Sequence, residues 1–479
     1  MTAQVDQSGA TLALSRFITA AAAPTLSKEA REGVKAAILG VLGTGLAGAQ
    51  TSAAARVREF VLSMDSTPVA QLWGRPERAG LPLAALANGV AAHLMDWDDL
   101  SESAQAHLSV AIVPAALALA EHLELAGRAL VDAYVVGFEV AACLGRAMNP
   151  FLVENGWHAT GVLGSIAATA AACRVIGNDA NTTGMALGIA VSSASSLLIN
   201  TSTETQALHA GFAARAGVEA ALLAKAGVGA SQEAISGRFG LAGVYAEIGE
   251  ERLATELARL GTVRDLEITG INLKAYPCCA SAHRPVEAVL DLAGTYGVTW
   301  DNVDRIWCRI SQLAHRKLHH SEPTSPLQAK VHLPYCIAAA LEDRGLEEGS
   351  FSEERIHSTS FQDRMRRVQV TVHPDQRERR PPDAEFADVT LFLRDGQELT
   401  ALVQRPQGAH DRPLGVARVR AKFRAGAQAT LGGAQADACI AAVEALDELD
   451  NVRDVVRLLR PQPTAQTRGS GFRESSRRL

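Results

Sequence analysis

Aromatic residues are scarce in this chain, at 5% of 479 positions, although hydrophobic residues as a whole reach 47%. A core short of large rings has to be filled by small and branched side chains. That favours helices lying closely against one another. Cysteine is also sparse: seven residues, including the neighbours Cys278 and Cys279, with no C-x-x-C spacing. This excludes a disulfide framework and a thiolate zinc site, and it suits a reducing compartment. Neither charge dominates, with 46 Lys and Arg against 52 Asp and Glu, for a net charge of −6. Lacking a basic field, the chain is not expected to bind nucleic acid or an anionic membrane. Its apolar runs fall short of the ~20 residues of a membrane span. The opening MTAQVDQSGATLAL has no basic stretch ahead of an apolar one, so a cytoplasmic location is expected. No G-x-S-x-G, P-loop or G-x-G-x-x-G motif stands between a strand and a helix. Hydrolase, NTPase and dinucleotide readings are therefore disfavoured.

The stretch from Met95 to Ala120 organises what is present. An apolar run from Leu83 to Met95 stops at Asp96, Asp98 and Asp99, and His107 opens a second apolar run. Charges next to a core must be paired or solvated, so an acidic loop between core helices marks either helix capping or a binding site. Three further clusters carry polar groups. Gly156-Trp157-His158-Ala159-Thr160-Gly161 sets a histidine ahead of a small-residue helix, where free amides favour an anion. Residues Thr203 to Gly211 form a polar turn containing Gln206 and His209. Residues Leu273 to His283 place Lys274, Cys278, Cys279 and His283 where the pattern changes character, and such junctions form clefts. His315, His319 and His320 have zinc-compatible spacing, but Arg316 and Lys317 among them point to a solvated surface.

Helical periodicity covers 11–48, punctuated by Pro24, with Ser27 as an N-cap. It continues over 83–95, 109–124, 128–146, 161–176, 180–199, 207–226 and 230–238. A small hairpin is expected at 68–74. Alternating patterns at 303–313, 366–373 and 387–403 read as strands, the last as a hairpin around Asp395-Gly396. Between them, 332–345 reads as a helix ending at Gly345, and helices return from Leu414. The tail 461–479 is expected to be disordered.

In this order the clusters resemble the MmgE/PrpD family, which includes 2-methylcitrate dehydratase, cis-aconitate decarboxylase and iminodisuccinate epimerase. The resemblance runs from about Leu12 to Leu459. It rests on D-W-D-D followed by His107, G-W-H-x-T-x-x-x-G at 156–164, L-H-x-G at 208–211 and K-x-Y-P-x-C at 274–279. LQAKVHLPY at 327–335 and PLGVARVRAKF at 413–423 complete it. It implies a mainly α fold: a large all-α helical domain formed by both chain ends (1–265 and 405–460). A smaller α/β lid domain (266–404) is inserted between them. It further implies a homodimer without cofactor or metal, acting on a small carboxylate.

The implied activity is a lyase, of the dehydratase or decarboxylase type, that abstracts a proton next to a carboxylate. The expectation leans to a hydro-lyase resembling 2-methylcitrate dehydratase. An epimerase of a small dicarboxylate and a non-catalytic acid-binding relative are the alternatives. Carried over onto this chain, the catalytic set is Asp96, His107, His158 and Lys274. Gln206, His209, Cys279, His283 and Lys330 stand as substrate-binding residues. Three positions depart from the pattern. Leu100 and Leu108 replace a hydroxyl residue and a proline, and Gln206 replaces a lysine. Losing a charged contact to a carboxylate costs about 1.5–3 kcal/mol. Either a substrate with fewer or differently placed carboxylates than 2-methylcitrate is thereby implied, or a cation supplied from elsewhere in the chain.

Overall fold

The computed structural model describes residues 9–20, 25–318, 321–378 and 384–462. Pro24, His319, His320 and the expected disordered tail from 463 onward lie outside them. The chain is mainly α, with a small sheet region.

Helix Lys28–Gly48 starts where expected, with the Ser27 side chain accepting from the Ala30 amide and Glu29 in the first turn. Leu81–Leu94, Ser109–His122, Gly127–Met148, Ala159–Ile176 and Glu204–Lys225 pack on one another as the helical body. Small residues make their approach close. A Cβ on Gly211 would stand 2.6 Å from the Leu86 carbonyl oxygen of the facing helix. Gly161 likewise leaves room only for the passing Ser195–Ser196 backbone and side chain. Ala159–Ile176 is long and apolar enough to cross a membrane, yet 94% of it is buried inside the molecule. It is packed here as a core helix. Gly177, at φ +68°, ends it in the left-handed conformation.

The larger sheet has four strands in the order Val368–Val372, Val303–Ile310, Ala387–Leu393, Glu398–Val403. The first pair is parallel (Ile306 opposite Val368) and the others antiparallel (Cys308 opposite Val389, Val389 opposite Ala401). Gly396, at φ +90°, turns the final hairpin. Helices Ala280–Tyr296 and Leu333–Asp343 pack on this sheet and on each other. From Val416 the chain returns as helix Val416–Leu431, which packs against Lys28–Gly48. Among the described residues the main buried core runs from Ala10 to Leu459, with a smaller cluster between Ala53 and Ala207.

The element most consequential for function is among the shortest. Asp99–Leu100 pairs antiparallel with Asn272–Leu273, 172 residues away (272 − 100), with Asp99 opposite Leu273. This ladder brings the acidic turn against Lys274.

Three expected boundaries shift. Residues 230–238 form turns, not a helix. The amides of Leu241 and Ala242 bond back to Ala234 and Ile235 there, so the next helix takes up carbonyls a helix would have used internally. The helix expected over 180–199 stops at Ser193. The chain beyond it is pulled across to residues 156–158, as His158 N bonds Ser196 O at 3.0 Å. The helix ending expected at Gly345 falls on Arg344, at φ 56°. The hairpin near 68–74 forms, with Ala70–Gln71 against Arg78–Ala79.

Candidate active site

Helix Leu81–Leu94 ends in a turn that places Asp96 at φ 49°. Aspartate tolerates that region better than most residues, and only a well-determined surrounding holds it there. The cause is a partner. Lys274 Nζ donates to both the Asp96 carboxylate and, at 3.1 Å, the Asp96 carbonyl. Lys274 is 3% exposed. Burial opposes its charge, but Asp96 and Asp98 more than offset that and hold the ammonium above its ordinary range. Asp96 stays below the carboxylate range because Lys274 and His107 outweigh its own burial.

Asp98 is wholly buried and anchors two imidazoles. His107 Nδ1 lies 2.9 Å from its Oδ2 and 2.7 Å from the Asp99 carbonyl oxygen. Both partners are acceptors, so Nδ1 carries the proton and Nε2 is the basic nitrogen. His93 Nδ1 stands 3.2 Å from the same Oδ2. The His107 backbone amide donates to Thr160 Oγ1 at 3.1 Å, which ties this loop to the start of helix Ala159–Ile176. His158, in the capping position of that helix, meets His209 with Nδ1 to Nδ1 at 2.9 Å. One ring donates and the other accepts, so this pair is not doubly charged. The His93 ring links the two halves, 4.9 Å from His107 and 6.2 Å from His158, centroid to centroid.

Burial dominates the protonation of these rings. It pushes His107 below its ordinary value, against the pull of Asp98. It pushes His158 well below, helped by His93 and His209, and His209 to about 4. His107, His158 and His209 are therefore neutral imidazoles at neutral pH, beside the ionised Asp98 carboxylate. Asp98 is held far below the carboxylate range despite burial, because His107 and His93 face it.

A cavity of about 1060 Å³ opens beside these groups. Asp96, His107, His158, Gln206, Lys274, Cys279 and His283 all line it, so seven of the nine residues singled out from sequence share one space. His209 sits behind His158, 3% exposed. Lys330 braces the wall instead. Its Nζ donates to the Met95 carbonyl at 2.6 Å and meets Glu348 at 2.8 Å, while its carbonyl accepts from the Cys279 amide. Gln206 Oε1 accepts from the Ser202 amide at 2.6 Å and so fixes the turn before its helix. Burial raises the Cys279 thiol, which keeps it protonated. His283 Nε2 lies 3.3 Å from the Cys278 carbonyl oxygen.

Several participants were not among the site residues expected from sequence. His93 is the one ionisable side chain in the run Leu83 to Met95, and that isolation was the available signal. Asp98 orients His107, while Asp96 pairs with Lys274. Leu100, Leu198 and Leu313 form apolar parts of the wall, and Arg284, Arg316 and Lys317 line it as well. The ligand atoms of His93, Asp98 and His107 lie within 4.8 Å of one another, which is the spacing a single cation would need. Their present contacts have hydrogen-bond lengths.

A mainly helical chain with a small sheet, holding buried neutral imidazoles and a carboxylate-paired lysine around one cavity, defines a class suited to acid–base chemistry on an anion. The sequence comparisons agree. The MmgE/PrpD N-terminal domain matches residues 12–252, and the MmgE/PrpD C-terminal domain matches 276–448. The chain belongs to the MmgE/PrpD family. It is 29% identical to the cis-aconitate decarboxylase of Mus musculus, covering 91% of this chain and 90% of that protein. It is 28% identical to the Homo sapiens cis-aconitate decarboxylase, with 90% of each chain covered. The Aspergillus terreus cis-aconitate decarboxylase is 25% identical, over 95% of this chain and 96% of its own.

Proposed function

We propose that this protein is a cofactor-independent lyase of a small di- or tricarboxylic acid, with decarboxylation as the leading reaction. The observation that carries it is the convergence of His107, His158 and Lys274 on one cavity, each with a fixed buried partner. The similarity to cis-aconitate decarboxylases favours breaking a carbon–carbon bond over the carbon–oxygen cleavage expected from sequence.

In decarboxylation the bond to the departing carboxylate breaks and carbon dioxide leaves. The electron pair passes into the conjugated remainder of the acid, and a proton is added at carbon. Lys274 holds a remaining carboxylate as charge builds on it, exchanging part of its contact with Asp96. An imidazole supplies the proton. His107 and His158 are neutral in the free protein, so the substrate's own negative charge raises their proton affinity on binding. The proton taken up with substrate is then the proton delivered. Dehydration would use the same imidazoles in the opposite sense, taking a proton from the carbon next to a carboxylate while hydroxide leaves and is protonated.

A second reading is epimerisation. Two imidazoles on one cavity are what removal of a proton from one face and its return from the other require. In either case segment 266–404 serves as a lid over the helical body, and two copies form the working dimer.

The test is NMR in deuterated solvent with cis-aconitate, citrate, 2-methylcitrate, malate and iminodisuccinate. Carbon dioxide release with one deuterium in the product supports the decarboxylase. Alkene formation from a hydroxy acid moves the assignment to dehydratase, and exchange with inversion moves it to epimerase. A folded protein that exchanges none of them would sink the proposal.

A further inference from the structure

Behind the Asp98 face of the site lies a buried lysine that the reaction scheme above does not use. Lys422 belongs to helix Val416–Leu431, near the C-terminal end of the chain, and is 7% exposed. Its Nζ donates to the backbone carbonyl of Lys274 at 3.2 Å and stands 5.3 Å from the Trp97 ring centroid. The next residue, Phe423, is fully buried, and a Cβ on Gly43 would come within 3.1 Å of it. The helix is therefore locked against Lys28–Gly48, and Lys422 has little freedom to move. The charged groups facing its ammonium are Asp98 and Asp99 from the acidic turn, Lys274 from the crossing segment and Arg418 from its own helix.

Asp99 is the other half of this arrangement. It is 1% exposed, and among the described residues the Ser109 hydroxyl faces its carboxylate without forming a hydrogen bond of good geometry. Ser109 and Tyr134 nearby bond each other at 2.6 Å. A buried carboxylate so placed is costly unless a positive charge faces it. Burial drives each group toward its neutral form, Asp99 and Lys422 both to about 7, so the two are poised together.

We propose that Lys422 is a positioning residue of the active site: it pins the Lys274 backbone and balances Asp99, thereby fixing the Lys274 ammonium against the reacting acid. Resting on the proposed function, this inference adds a connection. The late helix, joined to the body by packing on Lys28–Gly48, holds the lysine that enters from the crossing segment. A shift of about 1 Å in a catalytic group can cost ~100-fold in rate.

The experiment is a double-mutant cycle of Lys422→Met and Asp99→Asn, read both as thermal midpoint and as turnover of the folded enzyme well below that midpoint. K422M is expected to lower kcat about 100-fold with KM changed much less, because the geometry lost is that of the transition state. D99N on that background is expected to restore at least about tenfold, since no carboxylate is then buried without a cation. Wild-type kcat in K422M, or strictly additive effects on both readouts, would overturn the inference. Should K422M fail to fold, the double variant carries the test. Folded with reduced kcat it supports the positioning role, whereas unfolded or fully active it overturns it. Wild-type protein inactive on every acid would strike the proposed function alone. The coupling in thermal midpoint would then still decide whether Lys422 and Asp99 act as a pair, and its absence would overturn the inference.

Discussion

The buried floor of the cavity and its rim are built on different terms. On the floor, Asp98 holds two imidazoles, His158 holds His209, and Lys274 holds Asp96, all largely withdrawn from solvent. At the rim, Arg316 is exposed and makes no ion pair among the described residues. Lys317 donates to Gln105 at 3.3 Å, and Arg284 stands 3.5 Å from Glu385. Groups already oriented in a low-dielectric site need no reorganisation as charge develops, so the floor is suited to chemistry. Arg316, exposed, gains little from fixed pairs and can adapt to whichever carboxylate arrives, so this part of the rim is suited to selection. The difference separates what the site does from what it accepts.

The sharpest way to break that separation is at its deepest member. Asp98→Asn keeps the shape but removes the charge that two Nδ1–H groups share. His107 keeps the Asp99 carbonyl as an acceptor for Nδ1–H but loses the ionised partner that stabilises the ring when it takes up a proton. A fall in kcat of roughly 10³-fold or more is expected, with KM little altered, measured by steady-state kinetics. A D98N enzyme within about tenfold of wild type would mean that the floor's order is not what turns over substrate.

The pH profile comes next in size, and its sign separates the two roles of the histidines. Burial holds His107 and His158 below their ordinary 6.5. kcat/KM reports the free protein and kcat the complex. If an imidazole is the acid, as decarboxylation requires, kcat/KM falls about tenfold per pH unit above that lowered value. kcat would persist to higher pH, because bound carboxylates raise the ring's proton affinity. If an imidazole is the base, kcat/KM instead falls on the acid side, with its limb below pH 6.5. A limb in kcat/KM centred above pH 7 would show that neither ring, as placed here, carries the titrating proton.

The floor was only half legible in the chain. His107, His158 and Lys274 announce themselves by sitting at the edges of apolar runs, where a polar group needs a reason. His93 lies inside such a run, five residues before Asp98, and only the turn between them makes the pair. Asp96 and Asp98 are indistinguishable from sequence. Their partners are set by the ladder between Asp99–Leu100 and Asn272–Leu273, a long-range pairing that two-residue strands do not advertise. Arg316 is solvent-facing as read, whereas Lys317 is only partly exposed, and the place of both on the cavity wall is set by long-range contacts the sequence does not display. The helical scaffold was easier, because long apolar periodicity survives tertiary context. The stretch 230–238 misled because its carbonyls bond the following helix.

At the rim, Arg316→Gln with Lys317→Gln is expected to raise KM for di- and tricarboxylates about tenfold, leaving kcat intact and shrinking in high salt. A monocarboxylate analogue should bind the double variant as it binds wild type. Equal loss for every acid would show that these residues shape the wall rather than read charge.

The smallest effect is expected from Gln206→Lys, which moves a cation from rim toward floor. Two consequences oppose each other. A new ammonium on the cavity wall gains a charged contact with a third carboxylate, about 1.5–3 kcal/mol before solvent screening. The Ser202 amide loses the Oε1 that caps its turn, a cost of about 1 kcal/mol. The net gain is therefore a few-fold in KM for tricarboxylates and none for dicarboxylates, with a slightly lower thermal midpoint. Competition between citrate and malate for the wild type and for Q206K measures it directly. Should citrate gain nothing, Gln206 is fixing its turn and the third carboxylate is read by Arg316 and Lys317. Should citrate gain a hundredfold, the floor itself selects substrate, and the separation between the two ends of the cavity fails.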